Sequence, residues 1–594
     1  MKVCDYIASY LADKGVEHVF GIIGGACAFM VDAVGRRDDI KFICFQHEQA
    51  AAMAAEAYTR VKKNICVTMA TSGPGATNLI TGTCCAWFDS IPVINISGQV
   101  NSWESTQSPH CSKVRQVGFQ ETDIISMVKG ITKYAVLIKK PEEIKYHLDK
   151  ALYYAFEGRP GPVWLDIPMD IQRVEIDPKK LVGFIPKQNK KNKSNINIAV
   201  ILNLLNQSKR PLILVGGGLR YANLVEETRQ LVEQLNIPVV TSWSGFSIIP
   251  DSNPLYIGPF GVYGHRAANF AVQNCDLLIA LGSRLDTRQT GGKRNEFAPH
   301  AKKIVIDIDP YELNKRRDMK IDLPINADLR DFFSAWNKAK IKLTNDAVAI
   351  NNWIAKIIEW KKRYPICLPE YQKQKNNINA YFFIDALSKV APDNCILIPD
   401  CGGNLTWTIQ GFAPKKNQFV FSAMGNSPMG YSFAASLGAA IAAGNKKPVI
   451  CIIGDGGMQL NIQELQTMVH YKIPVKVFLL NSDSYAIIIG FQKEVFEGRY
   501  YGVDKKSGYS CPDFCKVIKS YGLPVVEIKT HNNLKQKIKD VLLKPGPIVC
   551  VVKINSDQPL HPKTQFGNPL ENMYPFLPPE EVAANMIAVQ EKNE

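Results

Sequence analysis

The sequence predicts an α/β protein of three Rossmann-like, doubly wound parallel-sheet domains, and three stretches carry that expectation. At 65–96, 211–241 and 448–481 an apolar run rich in β-branched residues leads into a glycine-rich turn, a helically spaced segment and a second apolar run. Strand, crossover helix and strand in that order make the two strands parallel neighbours. With 594 residues the chain is long enough for several such layers, each burying its own core.

The first unit is placed at 1–175. Lys41 to Phe45 reads as a strand, and Gln46-His47-Glu48 opens a helix with apolar positions at Ala50, Met53, Ala54 and Ala57. Strand Ile65 to Met69 runs through Ser72-Gly73-Pro74-Gly75 into one helix, Ala76 to Phe88, and a strand at Pro92 to Ile96. A polar stretch, Ile176 to Asn195, links to a second unit at 196–335. Its strands are Pro211 to Val215, Pro238 to Thr241, Asp276 to Leu281 and Lys303 to Ile308, with an amphipathic helix from Val225 to Leu235.

A Lys-rich, weakly patterned stretch from Phe332 to Lys375 precedes the third unit, 376–560. There, strand Cys395 to Ile398 ends in Pro399-Asp400-Cys401-Gly402-Gly403-Asn404, and a helix rich in small residues follows Met429. Val449 to Ile453 is a strand, Gly454-Asp455-Gly456-Gly457 a tight turn, and Met458, Ile462, Leu465 and Val469 one helical face that Pro474 stops. Val475 to Leu480 forms the next strand, ending at Asn481. A Pro-rich tail, 561–594, closes the chain.

Composition removes several classes. The opening segment carries Asp5 and Asp13, unlike a signal peptide, and no apolar run is long enough to span a bilayer, so no membrane role is expected. Fifteen cysteines form no paired metal spacing and read as reduced thiols of a cytoplasmic protein. The net charge of +15 has its densest run at Lys187 to Lys193, without aromatic interleaving, which fits a solvated linker better than a nucleic-acid groove.

The chemistry starts from Asp455 and Asn481. Both fall at carboxyl ends of adjacent parallel strands, where such sheets bind ligands. Glycines at 454, 456 and 457 let backbone N–H groups approach phosphate oxygens at a helix N-terminus. Mg²⁺ takes few protein ligands and fills its shell with phosphate oxygens and water, so a Mg²⁺-diphosphate is the inferred ligand. In the second unit, Gly216-Gly217-Gly218, the GSRLDTRQTG run at 282–291 and DIDP at 307–310 suggest a dinucleotide. Arg284 and Arg288 could bind phosphates or pair with Asp286, and Asp307 follows a strand, where ribose-binding acids occur.

The GDG turn followed by Asn at the end of the next strand resembles the thiamin diphosphate (ThDP) signature. HEQAAAMAAEAY, TSGPGATN, DSIPVINISGQV, GFQE and GRPGPVWLDIP, in that order, resemble the pyrimidine-binding domain of the acetolactate synthase family. The likeness runs through nearly the whole chain and implies pyrimidine-binding, central and diphosphate-binding domains. It implies that Glu48 hydrogen-bonds the pyrimidine ring nitrogen, with Pro74 and Asn78 beside the coenzyme and Gln120 and Phe119 at the reaction centre. Gly402, Gly403, Asn404, Gly454, Asp455, Gly456, Gly457 and Asn481 would hold ThDP, and Met429 would wedge between its rings. Asp455, Asn481 and the backbone carbonyl of Asp483 would hold Mg²⁺.

FAD is implied at Arg159, Gly216, Gly217, Gly218, Thr241, Gly282, Arg284, Asp286, Arg288, Asp307 and Asp328. The activity implied is decarboxylation of pyruvate, a 2-keto acid, with transfer of the two-carbon unit to a second carbonyl, in a homodimer or dimer of dimers. Nothing in the chain identifies a regulatory subunit.

Three positions depart from the family. Phe491 stands where Trp is usual and changes the acceptor pocket; Met169 replaces a frequent Lys, and Ile23 a frequent Pro. With the tail, expected over the active-site mouth, RQVGFQE and ITKYA resemble the branch that acts beside sugar modification, which keeps a keto-sugar nucleotide as an alternative acceptor. The adjacent His pair of related simple decarboxylases is absent, and His47 and His110 are weak candidates. A flavin-using pyruvate oxidase and a non-catalytic scaffold on the same fold are the remaining alternatives.

Overall fold

The computed structural model describes residues 1–107, 111, 113–186, 196–315, 318–339 and 341–593. His110 and the basic run Lys187 to Lys193 lie outside the described residues. The chain forms three six-stranded sheets in succession. The first comprises β1 (His18–Gly21), β2 (Lys41–Cys44), β3 (Cys66–Ala70), β4 (Val93–Gln99), β5 (Tyr134–Leu137) and β6 (Val163–Pro168), in the order β2-β1-β3-β4-β6-β5.

The second holds β7 (Pro211–Val215), β8 (Val239–Thr241), β9 (Tyr256–Pro259), β10 (Leu277–Leu281), β11 (Lys302–Asp307) and β12 (Leu323–Asn326), ordered β12-β11-β10-β7-β8-β9. The third holds β13 (Ile396–Pro399), β14 (Phe419–Val420), β15 (Val449–Gly454), β16 (Lys476–Asn481), β17 (Val525–Ile528) and β18 (Ile548–Lys553). Its order, β14-β13-β15-β16-β18-β17, repeats the first sheet strand for strand. All pairings in the three sheets are parallel. The interior strands are buried along their length, which is why they read as continuous apolar runs.

These orders place the binding crevices. Strand order reverses between β1 and β3, between β7 and β10, and between β13 and β15, and ligands of open parallel sheets lie beyond the carboxyl ends at such points. The middle sheet has the order of dinucleotide-binding folds.

Some expected elements differ in the structure. The helix expected across Met458 to Val469 is two, Asp455–Leu460 and Glu464–His470, because Asn461 turns out of the ladder and donates through Nδ2 to the Gly430 carbonyl at 2.8 Å. The helix expected at Ala76 to Phe88 is likewise two, Pro74–Asn78 and Ile80–Asp89. Much of the stretch from Phe332 to Lys375 is helical, which its weak pattern did not indicate. Helix Leu329–Lys338 completes the second unit, and Ala347–Arg363 buries Ile350, Trp353, Ile357 and Trp360. Trp353 Nε1 donates to the Pro211 carbonyl at 3.1 Å and Trp360 Nε1 to Asn585 Oδ1 at 2.7 Å.

The tail packs mainly on the second unit. Asn269 Nδ2 donates to the Leu570 carbonyl at 3.0 Å, and Leu570 joins the core beside Phe260 and Phe270. Lys563 also pairs at 2.7 Å with Glu494, on the helix Ala486–Val495 that carries Phe491. One buried polar cluster ties the three units together. Arg60, on helix Glu48–Lys62, binds Glu56, Asp89 at 2.6 Å and the Tyr221 hydroxyl at 3.1 Å, while the Tyr431 hydroxyl donates to Glu56. Asp89 further accepts from the backbone N–H groups of Met424 and Gly425, each at 2.8 Å.

Candidate active site

The third sheet brings together most of the residues expected to hold the diphosphate and metal. Asp455 begins a helix directly after β15 and is only 3 % exposed. Its carboxylate accepts from Gly456 N–H at 2.7 Å, Ser482 N–H at 2.8 Å, Ser482 Oγ at 3.1 Å and the Tyr509 hydroxyl at 3.2 Å. Burial raises its pKa and these donors oppose the rise, so a cation at the carboxylate would complete the compensation. Asn481 ends β16, buried, and its Oδ1 accepts from Asp483 N–H at 3.0 Å. Asp483 adopts φ 54°, and its side chain pairs with Lys553 at 3.1 Å, so its carboxylate is engaged away from Asp455.

The glycine turn has no room for side chains. A Cβ on Gly456 would lie 2.4 Å from the Tyr485 ring and 2.7 Å from the Met429 methyl, so both overlie the turn. On Gly457 it would lie 2.1 Å from Asp400 Oδ2. Asp400 accepts from Gly430 N–H at 3.0 Å and Ser432 N–H at 2.9 Å, and burial pushes its pKa up to about 6. It thereby fixes the loop of Met429 against the turn. Asn404 Nδ2 donates to the Cys401 carbonyl at 3.3 Å, while its buried Oδ1 has no partner. Beside it, Gly402 adopts φ 75° and Gly403 starts the helix Gly403–Gly411. An orphaned buried amide, a glycine cradle and a buried carboxylate next to an amide oxygen fit a Mg²⁺-diphosphate.

The first sheet supplies a second group. Glu48, 8 % exposed, opens its helix, and Asn78 Nδ2 donates to its Oε2 at 3.0 Å. His47 is the helix cap, its Nδ1 accepting from Gln49 N–H at 3.1 Å. Pro74 starts the short helix that carries Asn78. Gly73 (φ 61°) lies against Gln120, whose carbonyl would be 2.7 Å from a Cβ there, and Gln120 itself has φ 62°. Phe119 is 87 % exposed and Phe491 51 %, so neither is enclosed by its own chain. Among the described residues, no hydrogen bond joins the Glu48 group to the Asp455 group within one chain.

Asp400, Ser482, Tyr485 and Tyr509 are the residues that sequence reasoning gave no role. Only Asp400 left a trace, as the acid at a strand end before two glycines.

The second cleft lies at the switch point of the middle sheet. Arg159, Gly217, Gly218, Gly282, Arg284, Asp286, Asp307 and Asp328 line it, with Ser242, Ser244 and Tyr221 in addition. Gly216 lies behind the lining, where a Cβ would meet the Gly282 carbonyl at 2.1 Å. Arg159 donates to Ser90 Oγ at 2.8 Å and to Asp309 and Glu312 at 3.2 Å each. Burial raises the pKa of Asp307. Asp328 caps the helix Leu329–Lys338. Two expected members stand apart: Arg288 lies over the Tyr263 ring at 5.3 Å, and Thr241 is sheet interior, bonded to the Tyr256 hydroxyl at 3.2 Å. The Arg284–Asp286 separation is 3.8 Å.

Comparison with known proteins agrees with this architecture. Residues 1–127 match the thiamine pyrophosphate enzyme N-terminal TPP binding domain, 198–336 the central domain and 400–552 the C-terminal TPP binding domain. The acetolactate synthase large subunit of Cyanidium caldarium is 32 % identical over 595 residues, 98 % of this chain and 95 % of that one. The probable acetolactate synthase large subunit of Methanocaldococcus jannaschii is 35 % identical over 596 residues, covering 96 % and 95 %. The acetolactate synthase isozyme 2 large subunit of Escherichia coli K12 is 32 % identical over 591 residues, 99 % of both. Fold and glycine turn together define a thiamine pyrophosphate enzyme. The chain belongs to the acetolactate synthase large-subunit family.

Proposed function

We propose that this chain decarboxylates pyruvate and joins the two-carbon fragment to a second carbonyl, forming 2-acetolactate when the acceptor is another pyruvate. The observation that carries the reading is the buried Asp455 beside Asn481, over a turn closed by Met429 and Tyr485. Bound ThDP supplies the electron sink for decarboxylation and carries the two-carbon unit. Asp455, Asn481 and the Asp483 carbonyl would hold Mg²⁺, and the N–H groups of the 454–457 turn would face the diphosphate. Met429 sets the shape of the coenzyme's seat. Glu48, oriented by Asn78, would hydrogen-bond the pyrimidine nitrogen, and Gln120 with Phe119 and Phe491 would face the substrates.

Residues 1–175, 196–335 and 376–560 are read as pyrimidine-binding, central and diphosphate-binding domains, with 561–594 near the mouth of the site. The absence, among the described residues, of a hydrogen bond between Glu48 and Asp455 and the exposure of Phe119 favour a homodimer or dimer of dimers in which a second copy completes each site. The relatives are named large subunits, which supports a small regulatory partner. Phe491 in place of a larger ring favours, as a second reading, a bulkier acceptor such as a keto-sugar nucleotide.

The middle cleft suits FAD in its strand order and glycines; Arg284 would hold the phosphates and Asp307 a ribose, while Arg288 and Thr241 would serve only indirectly. A purified preparation should be yellow, and a colourless active one would remove the flavin. All fifteen cysteines are free thiols, as suits a cytoplasmic protein. Among the described residues no helix is long and apolar enough to cross a membrane.

The deciding experiment is turnover of pyruvate with and without candidate acceptors, products weighed by mass spectrometry, on wild type and Glu48→Gln. The wild type should release CO₂ and acetolactate, and the variant should keep ThDP while losing at least about 10²-fold in turnover. Full activity in the variant, or acetaldehyde as the sole product, would sink the assignment.

A further inference from the structure

Apart from the two clefts, a third cavity of about 650 Å³ opens where the three units meet. Lys63, Arg220, Arg229, Lys416, Phe419 and Lys447 are on its wall. Arg220 follows the glycine run of the middle sheet, and its guanidinium stacks on the Phe419 ring at 4.3 Å. One edge donates to Ser247 Oγ at 3.2 Å, while the buried Nε has no hydrogen-bond partner. Leaving a guanidinium donor buried and unmet is costly.

The acids nearby do not neutralise this group. Glu226 is taken by Arg229 and lies 4.0 Å from Lys416, which leaves Glu227 on the same wall. Among the described residues no carboxylate pairs with Arg220, Lys63 or Lys447; Lys63 reaches only the Asn223 amide. The cations also crowd one another. Burial lowers the Lys63 pKa and Arg220 and Lys447 lower it further, while burial and Arg229 push Arg220 down to about 10.

An Arg stacked on an aromatic ring, with two Lys converging, is the arrangement that recognises phosphate oxygens. We propose that this cavity binds a small molecule bearing phosphate groups, held by Arg220, Lys63 and Lys447. The site adjoins the switch-point cleft, sharing Ser90, Phe156, Pro160 and Tyr221 with it, but none of these three cations lines that cleft. It bridges all three units: Lys63 is the C-cap of the Glu48 helix, Arg220 lies on the short helix Gly218–Tyr221 that follows β7, and Lys447 precedes β15. Occupancy would therefore clamp the units together.

The test uses full-length protein saturated with ThDP, Mg²⁺ and FAD, so that those anion sites are filled, and titrates it with ADP in a calorimeter. One saturable event per chain is expected, with inorganic phosphate competing. Arg220→Gln and Lys447→Gln should each weaken it at least tenfold, and Arg220→Lys by less, while pyruvate turnover without ADP stays as in wild type. Absence of a saturable event, or wild-type affinity in both Gln variants, overturns the proposal. Should Arg220→Gln fail to fold, the exposed Lys447→Gln decides alone.

Discussion

Glu464 reaches from the third unit to the helix that carries Glu48. Its buried carboxyl accepts from Gln46 N–H at 3.1 and 3.2 Å and from Thr467 Oγ1 at 2.6 Å, yet burial outweighs these donors and pushes its pKa from 4.5 up to about 7. A raised value in the folded chain means the protonated form is favoured there. Its stabilising contribution is whole below the ordinary value and lost as pH rises through about 7. Between roughly pH 5 and 8 the melting temperature of Glu464→Gln should fall less than that of wild type, and parallel curves would refute the burial argument. Glu48, Asp455 and Asn481 were legible because each sits inside a local strand, turn and helix pattern. Glu464, Asp400 and Tyr509 were not, because the partners that tie them to other elements lie 30 to 418 residues away in the chain.

Helix Tyr431–Ala442 lies along helix Glu48–Lys62, and small residues let the two backbones meet. A Cβ on Gly438 would stand 2.0 Å from the Ala54 carbonyl oxygen, which cannot move aside as a side chain can. Gly438→Ala gains about 1 kcal/mol of helix propensity, but overpacking of this kind costs about 1–3 kcal/mol and here meets backbone. Denaturant unfolding should therefore show a less stable variant; a more stable one would mean the helices separate freely. The sequence marked this helix as rich in small residues but not what it touches. The reverse failure is Ala347–Arg363, where Ile350, Trp353, Ile357 and Trp360 make a buried stripe inside a stretch read only as Lys-rich and weakly patterned. Expecting single helices after the first and third glycine turns failed for another reason: the backbone leaves the helix ladder locally at Leu79 and at Asn461.

At the scale of the molecule, the matching strand orders of the first and third sheets suit a site shared between copies. If Glu48 of one chain serves the Asp455 turn of another, two inactive variants should rescue each other. Glu48→Gln mixed with Asp455→Ala after dissociation should recover about a quarter of wild-type turnover, since half the dimers are mixed and each has one intact site. No recovery would place the whole site in one chain. The three-layer architecture was legible from its repeats, whereas the edge strands β5, β14 and β17 were not, being short or half exposed.

The Arg60 cluster limits how far this protein can be dissected. Arg60 and Glu56 come from the first unit, Tyr221 from the second and Tyr431 from the third, all within one buried set of bonds. Excising the first unit would leave the Tyr221 and Tyr431 hydroxyls without their partners, and excising either of the others would uncover the Arg60, Glu56 and Asp89 charges that the seam now encloses. Limited proteolysis should accordingly yield either intact chains or small peptides rather than freestanding fragments.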